Sequence, residues 1–151
     1  MSLQFLNAST SDAVTRVGIS KHAFESDVVV GASDLCGPPG YKSLPFYMKM
    51  ARMNCLYKLV EDNEITVGGA VLFVKDKEMN VGRIFVSPEH FRKGYGIFMM
   101  EQIEAMFPEI KIFTLDTPIW NVRTNVFYRR LGYVEVRRDG DFVYYEKRRD
   151  A

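Results

Sequence analysis

Apolar and polar positions in the first third of the chain predict one strand followed by two helices. The short apolar run at 3–7 is typical of a strand. Residues 9–24 begin with serines that can cap a helix and continue with apolar residues at roughly helical spacing. The Gly- and Pro-rich segment 31–45 predicts a loop, and residues 46–53 predict a second, shorter helix.

From Cys55 onward, the spacing of apolar positions changes to that of strands. Three apolar runs joined by short turns predict an antiparallel meander, in which Gly68 and Gly69 mark a bulge or a close approach of two backbones. The helix that follows has apolar side chains at every third position, which predicts one buried stripe. The strands are predicted at 55–62, 65–76 and 80–88, the helix at 96–107, and its stripe at Ile97, Met100, Ile103 and Met106.

The last third of the chain predicts a strand, a helix and a hairpin. The continuous apolar run 110–117 suits a buried strand, and residues 121–132 predict a helix that ends at Gly132. Asp139 and Gly140 predict the turn of the final hairpin. The complete order is strand, two helices, three strands, helix, strand, helix and two strands, which predicts a mixed sheet with helices packed against it.

Length, charge and cysteine content limit the class of protein. A chain of 151 residues predicts one domain, covering 1–151. The formal net charge of +1 gives no reason to expect nucleic acid or an anionic membrane as a partner, so any basic site must be local. Two cysteines are too few for a disulfide framework, and the first residues lack the pattern of a secretory signal. We therefore expect a cytoplasmic protein without membrane contact.

A short basic turn with two glycines lies between the third meander strand and its helix. It contains Arg92, Lys93, Gly94 and Gly96. A helix N-terminus presents unpaired N–H groups and a partial positive charge, and glycines let a ligand approach them, so the turn suits a phosphate or diphosphate. A plain strand-to-helix turn with two solvated basic residues has the same composition. The Walker pattern and the dinucleotide fingerprint are both missing from the sequence.

Two segments, in this order along the chain, carry a resemblance to a known family. The segment 84–97 (IFVSPEHFRKGYGI) combines a strand, a Val, a Pro and the pattern R/Q-x-x-G-x-G/A before a helix, and Phe91 stands where Arg or Gln is usual. The segment 121–133 (NVRTNVFYRRLGY) follows N-x-x-A-x-x-F-Y-x-x-x-G-F/Y, with Thr124 in place of the common Ala. Together they resemble the GNAT family of N-acetyltransferases, whose members bind acetyl-CoA.

The resemblance implies a fold and a site. The fold would be α+β, with a central mixed, mostly antiparallel sheet of about seven strands flanked by about four helices. Tyr128 would be the general acid that protonates the leaving thiolate, and Asp116 stands near the place where some members carry a glutamate base. No metal is implied. The positions that would bind acetyl-CoA, through pantetheine or diphosphate, are Ile84, Phe85, Val86, Arg92, Lys93, Gly94, Tyr95, Gly96, Ile97 and Asn121.

The implied activity is transfer of the acetyl group of acetyl-CoA to a primary amine of a small molecule or a protein or peptide N-terminus, by direct attack in a ternary complex. A CoA-binding sensor or scaffold with weak turnover is the alternative. Structural roles also stay open: Tyr128 as a packed helix residue, Asp116 as a paired or capping carboxylate, and Asn121 as a helix N-cap. A homodimer is compatible with the chain, since two-fold assemblies are the commonest.

The family builds its acceptor wall largely from the first two helices and the late strands. Aromatic side chains in those segments suggest a partly apolar acceptor pocket, and acidic ones could attract a cationic amine. The aromatic candidates are Tyr41, Phe46, Tyr47, Tyr144 and Tyr145, and the acidic ones are Glu25, Asp27 and Asp34.

Overall fold

The computed structural model describes residues 2–26, 41–63, 65–90 and 93–149, apart from the side chains at positions 14, 16 and 17. Within these ranges, seven strands and four α-helices confirm the predicted order of elements and the α+β fold class. The strands are β1 (Leu3–Asn7), β2 (Leu56–Glu61), β3 (Ile65–Lys75), β4 (Glu78–Val86), β5 (Ile112–Pro118), β6 (Val134–Arg138) and β7 (Phe142–Arg148). The helices are α1 (Ala13–Glu25), α2 (Leu44–Arg52), α3 (Tyr95–Met106) and α4 (Val122–Arg130).

The strands form one open sheet in the order β1-β2-β3-β4-β5-β7-β6. Neighbouring strands in this order are antiparallel, except that β4 and β5 are parallel. A parallel pair needs a crossover connection, and α3 supplies it here. The predicted mixed, mostly antiparallel sheet is therefore confirmed, including the meander β2-β3-β4.

The helices cover the two faces of the sheet and bury a separate core on each. On the α3/α4 face, buried side chains of both helices pack on the central strands around Met99 and Phe113. On the α1/α2 face, a smaller cluster forms around Tyr47, Leu56 and Phe85. Each large apolar side chain buried in this way stabilises the fold by about 1.5–3 kcal/mol. The sheet is thus the middle of three layers, with α3 and α4 on one face and α1 and α2 on the other.

A bulge in β4 changes which side chains face each layer. Val71 of β3 pairs with Arg83 and Leu72 pairs with Val81, so Gly82 has no partner in the register. A Cβ at Gly82 would lie 2.6 Å from the ring of Phe73, which explains why glycine occupies the bulge. Before the bulge, odd-numbered residues of β4 face the α3/α4 core; after it, Phe85 belongs to the α1/α2 core.

The parallel pair β4 and β5 is paired only at its beginning. Its register covers Glu78–Asn80 against 112–114, although β4 continues to Val86 and β5 to Pro118. At the last pair, Nδ2 of Asn80 donates to Oγ1 of Thr114 at 3.1 Å. Beyond this point the described residues of β4 and β5 form no further backbone pairs. The sheet opens here, and one edge of the β4 backbone has no neighbouring strand.

The predicted stripe on α3 is wrong at its ends, since Ile97 is 46% exposed and Met106 is 41% exposed. A spacing of three residues falls short of one helical turn by about 60°, so three such steps bring the last residue to the opposite side. The stripe that is buried consists of Tyr95, Met99, Met100 and Ile103.

Most of the predicted loop 31–45, including Cys36, lies outside the described residues. Its last residues, Leu44 and Pro45, already belong to α2. The helix is capped by Ser43, because its Oγ accepts from the amide of Phe46 at 3.3 Å. Among the described helices, none is long and apolar enough to cross a membrane.

Candidate active site

One cavity of about 720 Å³ lies next to the divergence of β4 and β5. The end of β4, the first turn of α3 and one side of α4 form most of its wall. Ala23 and Phe24 of α1 also line it, so the cavity reaches through the opened sheet toward the α1/α2 face. The predicted site residues that line it are Ile84, Phe85, Val86, Gly94, Tyr95, Gly96, Ile97 and Tyr128.

Helix α3 begins at this cavity without a side-chain cap. Its N-cap is Gly94, which has the left-handed conformation with φ of 78°, whereas Ser43 and Asn121 cap α2 and α4 with side-chain oxygens. The first amides of an α-helix have no acceptor within the helix, and no described side chain caps those of α3. This helix end therefore presents N–H groups and a partial positive charge to the cavity, as an anion site requires.

Gly96 allows α4 to pack closely against the turn. A Cβ at this position would lie 3.1 Å from the ring of Phe127, closer than side chains normally approach. The ring of Phe127 is 5.2 Å from that of Tyr128, measured between centroids. Gly96 therefore permits the close approach of Phe127, and with it α4, to the turn.

Tyr95 fastens the first turn of α3 to the end of β2. Its ring stacks on His90, with centroids 6.0 Å apart, and its hydroxyl donates to Oε2 of Glu61. This hydrogen bond is the main reason why the pKa of Tyr95 rises to about 12. The phenol therefore stays protonated at neutral pH, and the contact holds the turn against the sheet.

Tyr128 lines the cavity from the middle of α4. The residue is 7% exposed, and its ring packs against Tyr133 and Tyr145 at centroid distances of 5.9 Å and 6.3 Å. No hydrogen-bond partner of the hydroxyl is found among the described residues. Burial raises the pKa of Tyr128 well above its usual range, and the charge of Asp116 adds to the rise. The group is consequently a neutral proton donor at physiological pH.

Asp116 lies on the other side of the sheet from Tyr128. Its neighbour Leu115 belongs to the α3/α4 core, and successive strand residues alternate in direction, so Asp116 faces the α1/α2 side. It is exposed and does not line the cavity. The β5–β7 register places it opposite Tyr144, whose hydroxyl donates to Oδ2 of Asp139 at 2.8 Å. Desolvation by the surrounding protein raises the pKa of Asp116, and the nearby charge of Asp139 raises it further.

Two predicted residues that the structure describes, Asn121 and Lys93, are not part of the cavity lining. Asn121 is 2% exposed, and its Oδ1 accepts from the amide of Thr124 at 3.1 Å, so the N-cap role is the one observed. Lys93 is exposed beside the turn. Arg92 lies outside the described residues, as does Phe91. The contacts predicted for these side chains with a cofactor stay predictions.

A stripe on α4 was missed by the motif-based prediction. Val122 and Val126 are 66% and 40% exposed, yet both line the cavity together with Arg130. These positions are four residues apart and so lie on one side of the helix. Two valines at helical spacing, Val122 and Val126, are the signal in the sequence that could have revealed this wall.

The predicted acceptor pocket is wrong in part. Tyr47 and Tyr145 are fully buried and belong to cores on opposite faces of the sheet, so they cannot line one pocket. Tyr41 is also buried, and its hydroxyl donates to Oε2 of Glu25 at 2.9 Å. The alternation of strand residues explains the error for Tyr145, because its neighbour Tyr144 takes the other face. Asp27 and Asp34 lie outside the described residues.

Comparison with protein-family models gives one match. Residues 54–135 match the model described as an acetyltransferase (GNAT) domain, which is more than half of the chain. The matched range contains the end of β4, the turn before α3, and α4. No curated protein matches the sequence.

Solved structures with the same fold extend over nearly the whole chain. The PaiA N-acetyltransferase from Thermoplasma acidophilum, in complex with coenzyme A, has a TM-score of 0.85 at 15% identity and covers 99% of this chain and 100% of its own. An acetyltransferase from Thermus thermophilus has a TM-score of 0.78 at 13% identity, covering 98% and 97%. The ribosomal-protein-S18-alanine N-acetyltransferase from Escherichia coli has a TM-score of 0.68 at 15% identity, covering 96% and 92%.

Proposed function

The chain belongs to the GNAT family of acetyltransferases, and we propose that it transfers the acetyl group of acetyl-CoA to a primary amine. The acceptor would be a small molecule or the N-terminus of a protein or peptide, attacking directly in a ternary complex. One observation carries the proposal. The uncapped end of α3, the opened edge of β4 and Tyr128 line a single cavity.

The cavity has the features that acetyl-CoA needs. Amides at the start of α3 would hold the diphosphate, with Gly94 giving unobstructed access because a Cβ there would meet nothing within 4 Å. The unpaired edge of β4 at 84–86 would bond to the pantetheine amides as an added strand does. Exposed Ile97, Val122 and Val126 would be covered by the pantetheine arm, which accounts for apolar side chains at the surface.

Tyr128 is the proton donor in this proposal. Acetyl-CoA supplies an activated thioester, and the thiolate that leaves needs a proton. Burial keeps the phenol protonated, three rings hold it in place, and its hydroxyl has no competing acceptor among the described residues. Amides near Val86 would stabilise the negative charge that develops on the carbonyl oxygen.

Asp116 would remove the proton of the amine, directly or through water. It faces the α1/α2 side, which is the side from which an acceptor would reach the opening opposite the cofactor. Its raised pKa makes it a stronger base than an ordinary aspartate. Two structural relatives support an amine acceptor: one is named an N-acetyltransferase with coenzyme A bound, and the other acts on an alanine of a ribosomal protein.

The test is a screen of amines with acetyl-CoA that measures released thiol, combined with calorimetry of cofactor binding. We expect a micromolar dissociation constant, in the lower part of the range that enzymes show for substrates, and thiol release that depends on one class of amine. Absence of binding at high micromolar acetyl-CoA would end the proposal. Tight binding without thiol release for any amine would favour the alternative, a CoA sensor.

A further inference from the structure

Arg130, in the last turn of α4, lies where two cavities meet. A second cavity of about 570 Å³ runs between α3 and the end of α4, and Ile97, Arg130 and Leu131 line both it and the larger cavity. Arg130 is exposed. Any ligand that leaves the larger cavity over this shared rim would pass the guanidinium group.

The other basic side chains of the second cavity are already engaged. Lys147 forms an ion pair with Glu104 at 3.0 Å. Arg149 donates to the carbonyl oxygens of Glu104 and Ile110 at 2.6 Å and 2.8 Å, which ties the end of the chain to the end of α3. Among the described residues, by contrast, none forms a hydrogen bond or an ion pair with Arg130.

Arg130 is also close to the turn that would hold the diphosphate. It follows Phe127 by three residues, so the two side chains are neighbours on the helix surface. The ring of Phe127 in turn lies 3.1 Å from the point where a Cβ on Gly96 would be. In coenzyme A one ribose separates the diphosphate from the 3′-phosphate, which brings that phosphate within reach of the next helical turn.

The negative charges nearby restrict where a phosphate can sit. Glu101 and Glu104 line the second cavity on the α3 side, and only Glu104 is neutralised by a lysine. A phosphate would be repelled from the interior of the second cavity by Glu101. A phosphate at the rim that Ile97 and Leu131 form between the two cavities would lie next to Arg130 and away from both carboxylates.

We propose that Arg130 binds the 3′-phosphate of the CoA ribose and makes this protein discriminate CoA from its 3′-dephosphorylated form. The inference rests on the proposed function, since it assumes that CoA is the ligand of the larger cavity. A guanidinium group and a phosphate form charge-assisted, often bidentate hydrogen bonds. Because the site is exposed, water and salt weaken the contact, and we expect a preference of about three- to tenfold.

Calorimetry with CoA and 3′-dephospho-CoA tests this without requiring turnover. The wild-type protein should bind CoA about three- to tenfold more tightly, and Arg130→Ala should bind both ligands with the affinity of the dephosphorylated one. The matched control is Arg129→Ala, one residue away on the same helix. Arg129 lies 3.8 Å from Glu135 and lines neither cavity, so its loss should leave the preference intact.

Three outcomes would overturn the inference while leaving CoA binding itself established. The wild-type protein could bind both ligands equally; Arg130→Ala could weaken both by the same factor; or the preference could disappear in Arg123→Ala instead. Arg123 lines the larger cavity at the other end of α4, and that result would move the phosphate there. If neither ligand binds the wild-type protein, the proposed function fails, and the inference fails with it.

Discussion

At the scale of single residues, Tyr128 has the clearest testable role. Replacing it with Phe removes the hydroxyl but keeps the ring that packs against Phe127, Tyr133 and Tyr145. We expect Tyr128→Phe to lower kcat by about 100-fold or more, because loss of a general acid costs that much, with little change in the affinity for acetyl-CoA. Steady-state kinetics and calorimetry separate the two effects. An unchanged kcat would show that another group protonates the thiolate.

Tyr133 provides the matched control for that experiment. Its ring is 5.9 Å from that of Tyr128, and its hydroxyl is buried without a hydrogen-bond partner among the described residues. Removing an unsatisfied buried hydroxyl removes a penalty of about 1–3 kcal/mol, so Tyr133→Phe should fold at least as stably as the wild type. It should also keep kcat, which would show that the loss at Tyr128 is not a general effect of repacking.

In the proposed mechanism, Asp139 would affect the reaction through the pKa of Asp116. Desolvation by the surrounding protein is the main cause of the raised pKa of Asp116, and the negative charge of Asp139 adds to it. In Asp139→Asn that charge is gone while Oδ1 can still accept from the amides of Asp141 and Phe142. The pKa of Asp116 should fall, so the acid limb of kcat/KM should move to lower pH.

Tyr144→Phe is the control, since it removes the hydroxyl that donates to Asp139 but leaves both carboxylates. In Tyr144→Phe, the acid limb of kcat/KM should lie at the same pH as in the wild type or at a higher pH. NMR titration of the Asp116 carboxyl carbon gives the same comparison without an acceptor substrate. A shift of the Asp116 titration to higher pH in Asp139→Asn would contradict the electrostatic explanation.

At the scale of elements, the start of α3 depends on the backbone of Gly94. Its φ of 78° lies in the left-handed region, where a side chain costs about 1–2 kcal/mol, although the space around it is open. We expect Gly94→Ala to lower the free energy of unfolding by about that amount and to weaken CoA binding, because relief of the strain reorients the first amides of α3. Urea unfolding and calorimetry measure the two losses.

Gly18 is the corresponding control in α1. A Cβ there also meets nothing within 4 Å, but the position has ordinary helical geometry. Gly18→Ala should therefore raise the free energy of unfolding by up to about 1 kcal/mol and leave CoA binding unchanged. If both variants changed stability in the same direction, backbone strain at Gly94 would not be the explanation.

The order of elements could be predicted from local patterns, but the opened sheet could not. Capping residues, Gly132 with φ of 93° and the hairpin at Asp139 identify where elements start and end. The bulge at Gly82 and the early end of pairing after Asn80 depend on contacts between strands distant in sequence. The side of the sheet that Asp116 faces depends on the same strand alignment, which is why its position outside the cavity was not foreseen.

At the scale of the whole molecule, the opening between β4 and β5 interrupts the backbone hydrogen bonding of the sheet. Strand β2 has partners on both sides, β1 and β3, whereas the end of β4 has a partner only in β3. Amides at an unpaired edge exchange with solvent more readily than those inside a ladder. The ligand-free protein should accordingly show slow hydrogen exchange at 56–61 and fast exchange at part of 84–86.

Binding of CoA should raise global stability while protecting one edge of the sheet. At a free concentration of about 100 times its dissociation constant, a ligand of the native state adds about 2.7 kcal/mol. For a chain of this size that corresponds to a rise in Tm of about 5–10 °C. Under the same conditions, below Tm, exchange mass spectrometry should show new protection at 84–86 and at the first turn of α3, with little change at 56–61. Protection at 56–61 without protection at 84–86 would show that CoA does not complete the edge of β4, and the cofactor would then have to bind elsewhere.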